Sequence, residues 1–166
     1  SRILPRPADD LKDRCWIAVN SVESAGIAGR MHYHVLFSHL RTLDQYQQYA
    51  AAYRAAGGRG KIAINRPVHV AVDDETAWRQ ARPAIETLYH CFRQEGKIEA
   101  TRPPPRSRAD WCAHPLNFLV GSADTVIREL NAIRQRIPFD VANFEMRWEG
   151  LPEPLVSTYL VALDEA

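Results

Sequence analysis

The sequence predicts an α/β fold built on a parallel sheet. Strand-like apolar segments alternate with helical patterns in the order strand–helix repeated four times, which favours parallel pairing with right-handed crossovers. The first strand candidate is a continuous apolar run, as strands covered on both faces usually are. A length of 166 residues, with 46% hydrophobic and 25% charged residues, is typical of one globular domain. We therefore expect a single domain over residues 1–166.

Four short segments are predicted as strands because their residues are continuously apolar or alternate between apolar and polar. They cover residues 15–19, 34–37, 68–72 and 141–146. Alternate residues of a strand point to opposite faces, so each strand has an apolar face and a face with polar groups towards its C-terminal end. The predicted inner face carries Trp16, Ala18, Asn20, His34, Leu36, Ser38, His69, Ala71, Asp73, Val141, Asn143, Glu145 and Arg147. A polar site is expected at the carboxyl ends of the strands, where parallel β/α sheets bind ligands.

Two helices are predicted between the first three strands. Residues 21–30 form a short helix directly after the first strand. Thr42 and Gln45 have the spacing of a capping box and begin the second helix. Gly57 and Gly58 end that helix, because glycine is favoured just past a helix C-terminus.

Three helices are predicted in the second half of the chain. A long Ala-rich helix covers residues 74 to about 92, and Pro83 should kink it or restart it. Ser122 is the predicted N-cap of a helix that stops before Pro138. Its free N–H groups are a second, weaker candidate for binding an anion, and ordinary capping by Ser122 is the alternative. A last helix opens near Pro152.

Residues 96–117 form a Pro-rich and basic segment, which we expect to be a surface loop within the domain. A solvated loop is one interpretation, and a lid over a binding cleft is the other. The chain contains no internal repeat of fixed period. The sequence thus predicts one domain with one long loop.

Composition argues against several classes of function. Twenty-one Lys and Arg balance 20 Asp and Glu, so we expect no binding to nucleic acid or to an anionic membrane. No apolar run approaches the ~18 residues of a membrane span. Three cysteines without CxxC spacing fit reduced thiols, and we expect a cytoplasmic protein. The sequence has six histidines but no HExxH, P-loop, GxGxxG or GxSxG motif, and we expect no metal site.

The most informative stretch is residues 15–30, Cys-Trp-Ile-Ala-Val-Asn-Ser-Val-Glu-Ser-Ala-Gly-Ile-Ala-Gly-Arg. A buried strand ends within it and a helix begins, and the free N–H groups and positive end of that helix form an anion site. Ser21 and Ser24 are one helical turn apart, so both hydroxyls can face the same phosphate. A plain N-cap with a solvated serine is the alternative.

This stretch resembles a segment of the luciferase-like flavin-dependent monooxygenases, which are (β/α)₈ barrels. Their segment reads roughly aromatic-hydrophobic-Ala-x-x-Ser-x-x-Ser-Ala-x-x-Ala-Gly and follows a central barrel strand. Further matches occur in the family's order, at residues 3–7 (Ile-Leu-Pro-Arg-Pro), 70–77 (Val-Ala-Val-Asp-Asp-Glu-Thr-Ala), 118–126 (Phe-Leu-Val-Gly-Ser-Ala-Asp-Thr-Val) and 148–152 (Trp-Glu-Gly-Leu-Pro). The sequence departs from the family at two places. Ala123 stands where the family usually has proline, and His-Tyr-His at 32–34 stands where a Gly-rich stretch is common.

The matches belong to the second half of the family's barrel, whereas a full barrel needs about 250 residues. The resemblance thus implies parallel (β/α) units that form about four strands, the C-terminal half of a TIM-type (β/α)₈ barrel. We expect a C-terminal portion of a longer flavoprotein, inactive alone, because relatives take basic phosphate-binding residues from the other half. Strands 15–19 and 141–146 would be unpaired edges. A homo-oligomer, or association with the missing half barrel, is therefore expected.

Carried over residue by residue, the resemblance implies a phosphate site at Ser21 and Ser24, with Asn20 adjoining. It implies FMN, used as reduced flavin, and the oxygenation of a small organic substrate by O₂, with a flavin reductase as a further partner. A deazaflavin coenzyme used for hydride transfer is the alternative. Catalytic residues are not assigned.

Two hypotheses of other classes stay open. One is a non-catalytic half-barrel module that self-associates or binds a phosphorylated ligand. The other is an unrelated doubly wound α/β binding domain, whose strand order would reverse and leave a crevice at the switch point.

Overall fold

The computed structural model describes residues 11–98, 105, 108–112, 118–147 and 150–151. A short 3₁₀ turn at Leu11–Arg14 precedes the first strand. The elements then follow in the order β1 (Trp16–Val19), α1 (Val22–Met31), β2 (His34–Phe37), α2 (Leu43–Ala55), β3 (Ile62–Val70), α3 (Asp74–Gln94), α4 (Arg108–Cys112), β4 (Leu119–Gly121), α5 (Ala123–Arg136) and β5 (Val141–Glu145). The helix predicted to open near Pro152 lies outside the described residues.

The five strands form one parallel sheet. Leu36 of β2 and Val141 of β5 both pair with Ala63, so β2 and β5 flank β3 on opposite sides. The short β4 pairs with the last residues of β3. The order β1–β2–β3–β5 advances in one direction, as in a barrel, with no reversal of the kind that a doubly wound sheet has at its switch point. The predicted parallel α/β fold is confirmed.

One predicted strand is wrong in extent, and one strand was missed. The third strand begins at Ile62 instead of Val68, and the short β4 was not predicted. Asn65 and Arg66 interrupt the apolar run of β3, so the pattern gave no signal for its first half. Arg66 is nevertheless fully buried, because its guanidinium donates to Tyr46 Oη over 2.6 Å.

The helix does not restart at Pro83, because α3 continues through it to Gln94. The helix is held by a buried stripe on one side, which continues past the proline: Ala77, Ala81, Ala84, Ile85, Leu88 and Tyr89. Packing of such a stripe can outweigh the lost backbone hydrogen bond of one proline.

The predicted loop at 96–117 is not irregular throughout. Its described residues include α4, and Trp111 of that helix is only 3% exposed. The Trp111 ring packs edge-on against Tyr89 of α3, with ring centroids 5.3 Å apart. This part of the segment therefore belongs to a hydrophobic core and is not a solvated loop.

Helices cover both faces of the sheet. The outer face packs against α1, α2 and α5, through residues such as Val35, Ile64 and Val68. Among the described residues, α3 and α4 cover the opposite, inner face near the ends of β3 and β4, where Val120 joins their core. Alternation along β4 makes the division clear, because Leu119 joins the outer core and Val120 the inner one. The predicted division of the strands into inner and outer residues is confirmed.

Helices α1 and α2 pack closely against each other at Gly29. A Cβ atom on Gly29 would lie 2.5 Å from the carbonyl oxygen of Tyr53 and 2.9 Å from Cβ of Ala56. Both distances are shorter than van der Waals contact, so only glycine allows the two backbones to approach this closely. Gly26, one turn earlier on α1, has open space by comparison, since its Cβ would meet only Arg30 Nη1 at 3.5 Å.

We expect Gly29→Ala to destabilise the protein by about 1–3 kcal/mol, because the methyl group forces α1 away from α2. Gly26→Ala is the matched control on the same helix, and it should be neutral or stabilising by up to about 1 kcal/mol, since alanine favours helix. Urea unfolding of both variants measures the difference. Equal stabilities of the two variants would contradict the close packing at Gly29.

Candidate functional site

The start of α1 is fixed by two serines that follow β1. Ser21 is the N-cap, and its Oγ accepts a hydrogen bond from the backbone N–H of Ser24 at 3.1 Å. Ser24 Oγ accepts in return from the N–H of Ser21 at 3.2 Å. The two hydroxyl oxygens are 3.0 Å apart, with Ser21 Oγ donating to Ser24 Oγ. The structure therefore brings the two predicted site residues together at the carboxyl end of β1.

The first turn of α1 has hydrogen-bonding capacity left for a ligand. Among the described residues, no acceptor is paired with the backbone N–H groups of Val22 and Glu23. Both groups lie at the positive end of a ten-residue helix, which favours a bound anion. We call Ser21, Ser24 and these two amides the α1 anion site.

Asn20 adjoins this site through its backbone. Its carbonyl oxygen accepts from Tyr49 Oη at 2.8 Å and from Arg41 Nε at 3.3 Å. Its side chain is exposed. Arg41, which follows β2, thereby places a guanidinium beside the residue that precedes the α1 anion site. Sequence reasoning missed Arg41, whose only signal was its position shortly after a predicted strand.

A carboxylate of this chain lies at the start of α5, where the weaker anion site was predicted. Asp74 Oδ1 accepts from the N–H of Ser122 at 2.7 Å, and Asp74 Oδ2 accepts from Thr125 Oγ1 at 3.0 Å. Ser122 Oγ caps the N–H of Thr125. The predicted capping by Ser122 is confirmed, and the negative charge of Asp74 at this helix end disfavours a bound anion.

A polar cluster lies on the inner face around two paired residues, Asn65 of β3 and Asn143 of β5. Asn143 Nδ2 donates to Asn65 Oδ1 at 2.7 Å, and Asn65 Nδ2 lies 3.4 Å from Glu145 Oε2. His39, in the loop after β2, completes the cluster, with its Nδ1 3.4 Å from Asn65 Nδ2 and 3.7 Å from Glu145 Oε2. Asn143 and Glu145 were predicted on this face, whereas Asn65 was not.

Two histidines of the inner side are held neutral by burial. Burial, followed by the positive charges of Arg66 and Lys97, lowers the pKa of His39 from 6.5 to about 4. Burial also lowers the pKa of His69, although its Nε2 contacts Gln80 of α3 at 2.9 Å. His69 is only 1% exposed, so it does not face an open cleft. Within the described residues, no group of three or more His, Cys, Asp or Glu side chains could hold a metal ion.

The sequence matches the family model described as luciferase-like monooxygenase, over residues 1–140. The chain belongs to this family. No curated protein matches it.

Solved structures related to the luciferase-like chain share its fold. Monooxygenase RslO1 from Streptomyces bottropensis matches with a TM-score of 0.70 and 17% identity, over 90% of this chain and 46% of its own. Apo-MsnO8 matches with a TM-score of 0.63 and 21% identity, over 89% of this chain and 49% of its own. The oxygenating constituent of 3,6-diketocamphane monooxygenase from Pseudomonas putida, solved with FMN, matches with a TM-score of 0.62 and 21% identity, over 79% and 41%.

The luciferase-like chain thus spans about half the length of these solved relatives. The predicted resemblance and the predicted fold, β/α units corresponding to half of such a TIM barrel, are both confirmed. In the part that the structure describes, none of the helices is long and apolar enough to cross a bilayer.

His39 makes stability depend on pH in a defined direction. Its pKa is lower in the folded protein than in the unfolded chain, so the unfolded state binds more protons between pH 6.5 and pH 4. Stability is therefore full above pH 6.5 and falls as the pH drops towards 4, by about 3 kcal/mol from this residue. His39→Gln should flatten that decline in urea unfolding, whereas His90→Gln, at an exposed position of α3, should leave it unchanged. An unaltered decline in His39→Gln would contradict the assignment.

Proposed function

We propose that this chain is part of a flavin-dependent monooxygenase that oxygenates a small organic substrate with O₂. The observation that carries the proposal is the α1 anion site, which two serines and two unpaired amides form in a chain of the luciferase-like family. A relative of the same fold is described in complex with FMN. FMN has a terminal phosphate, and a helix N-terminus at the carboxyl end of a parallel strand suits such a group.

Backbone amides, hydroxyl groups and a guanidinium group each contribute to binding the phosphate at this site. The amides of Val22 and Glu23 donate to its oxygens, and the helix end supplies a partial positive charge. The hydroxyls of Ser21 and Ser24, which bond each other over 3.0 Å, would exchange that hydrogen bond for one to a phosphate oxygen. Asn20 adjoins them, and Arg41 contributes a full positive charge beside Asn20.

Bound flavin supplies the redox chemistry, and the protein supplies binding, orientation and exclusion of water. The α1 anion site holds the phosphate end, and the inner face of the sheet offers the space for the ring system. FMN is the cofactor we propose. A deazaflavin coenzyme is the alternative, because an anion site at a helix end recognises the phosphate and not the ring. A flavin reductase is the proposed source of reduced flavin.

We propose that the inner face and the two edges are completed by further β/α units. The chain spans about half of its solved relatives, and an unpaired parallel edge strand favours association. Such units are either the other half of a barrel or a second copy of this chain. If the chain is instead a non-catalytic module, it should purify as a colourless dimer. The edges near β1 and β5 carry exposed apolar side chains, namely Leu11, Trp16, Val22, Ile27, Met31, Val141 and Phe144.

Removing both hydroxyls should weaken FMN binding without affecting riboflavin, which has no phosphate. We expect Ser21→Ala with Ser24→Ala, in the protein at its natural full length, to raise the Kd for FMN about tenfold. Flavin fluorescence quenching measures both ligands. Ser122→Ala is the matched control, since it also removes an N-cap serine but not one at this site. An unchanged Kd for FMN in the double variant would remove the phosphate assignment.

Arg41 should act through its charge. We expect Arg41→Gln to weaken FMN binding about tenfold, as loss of a charge-assisted hydrogen bond does, and to reduce the dependence of the Kd on salt. Arg82→Gln is the control, because Arg82 is an exposed arginine of α3 that pairs with Glu86. Identical salt dependence in Arg41→Gln and the unmodified protein would exclude a role for Arg41.

A further inference from the structure

A row of polar side chains crosses the inner face at the level where β1 and β2 end, whereas β3 continues beyond it to Val70. Asn65 of β3 is paired in register with Asn143 of β5. Ser38 and Asn20 come directly after Phe37 and Val19, the last paired residues of β2 and β1. Because Phe37 pairs with Ile64, the four residues fall at the same level of four neighbouring strands. We call Asn20, Ser38, Asn65 and Asn143 the polar row.

The layer beneath the polar row is small and apolar. It consists of residues paired in one register across the same four strands, namely Ala18, Leu36, Ala63 and Val141. Two of the four are alanines, whereas bulky branched side chains dominate the layers inside TIM barrels. With two alanines this layer is shallower than a layer of branched side chains, although Ala63 itself is only 3% exposed. A flat ring bound beside β5 would have one edge at the level of the polar row.

The end of the row at β5 has unused hydrogen-bonding groups. Glu145 Oε2 is engaged by Asn65 and approached by His39, but within the described residues Glu145 Oε1 is paired with nothing. Asn143 uses one N–H of its amide on Asn65, and its second N–H and its Oδ1 have no partner in the same part of the chain. The Glu145 side chain is 38% exposed and Asn143 is exposed as well. A carboxylate acceptor therefore lies beside an amide donor, two residues apart on one face of β5.

We propose that Asn143 and Glu145 bind the imide edge of the flavin ring, the C=O–NH–C=O group of its pyrimidine part. The imide N–H donates to the Glu145 carboxylate, and the Asn143 amide donates to a neighbouring carbonyl oxygen. Asn65 and His39 act as positioning residues, because they hold Asn143 and Glu145 and do not touch the ring. This inference rests on the proposed function and extends it to the other end of the same ligand.

The distance across the sheet from the α1 anion site to Asn143 and Glu145 supports this assignment. Neighbouring strands lie about 4.8 Å apart, so the three spacings from β1 to β5 amount to about 14 Å. FMN joins its phosphate to the ring system through a ribityl chain of five carbon atoms, and the imide lies on the ring. A ligand held by its phosphate beside β1 thus reaches across the sheet towards β5.

His39 is suited to the positioning role because it is neutral near pH 7. A neutral imidazole offers Nδ1 as an acceptor for the Asn65 amide, 3.4 Å away. A neutral His39 also places no full positive charge beside Glu145 that would compete with the ligand N–H for the carboxylate.

A ligand cycle tests the proposal in the protein at its natural full length. Riboflavin and 3-methylriboflavin differ only at the imide nitrogen, where a methyl group replaces the proton. We expect the unmodified protein to bind 3-methylriboflavin at least tenfold more weakly, the loss expected for a hydrogen bond to a charged acceptor. Glu145→Ala should bind the two ligands within about twofold of each other. Glu145→Gln should restore part of the difference, because its amide oxygen still accepts.

Glu86→Ala is the matched control, an acidic residue of α3 away from the inner face, and it should keep the full difference. The two-ligand comparison on the unmodified protein needs no variant, so a folding failure of Glu145→Ala leaves the test intact. Equal affinities for the two ligands, or a full difference that survives in a folded Glu145→Ala, would overturn the imide site while flavin binding stands. Absence of any flavin binding would overturn both this inference and the proposed function.

Discussion

The close contact of α1 with α2 at Gly29 is the constraint on which the arrangement of the site depends. It brings the backbone of α1 against the Tyr53 carbonyl. With the helices this close, Tyr49 of α2 reaches the carbonyl of Asn20 at the end of β1. Arg41, which precedes α2, contacts the same carbonyl. The end of β1, the first turn of α1 and the loop after β2 are thus held as one unit.

Local spacing was enough to predict the residues at the start of α1. Ser21 and Ser24 are three positions apart after an apolar run, and a capping interaction needs only that spacing. The division of strand residues into inner and outer faces was predictable for the same reason, because alternation is a property of a single strand. What depends on one element alone can be inferred from consecutive residues.

Contacts between distant elements could not be inferred in this way. The first half of β3 carries Asn65 and Arg66, which break the apolar pattern, and their partners lie on α2 and β5. Arg41 donates to the carbonyl oxygen of Asn20, which lies 21 positions earlier in the sequence. Asp74 accepts from the N–H of Ser122, which lies 48 positions later. Trp111 is buried in a segment whose prolines and charges indicate a loop, because Tyr89 of α3 covers it. Tertiary packing decides each of these cases.

The reciprocal bonding of the two serines has a consequence for selectivity. Each hydroxyl proton is already donated within the turn, from Ser21 to Ser24 and from Ser24 Oγ to the Ser21 carbonyl. A neutral polyol such as glycerol would exchange existing bonds for equivalent ones and gain almost nothing. A dianion gains in addition from the helix end and the nearby guanidinium. If this turn binds a phosphate as we propose, it therefore favours an anion over a neutral sugar alcohol.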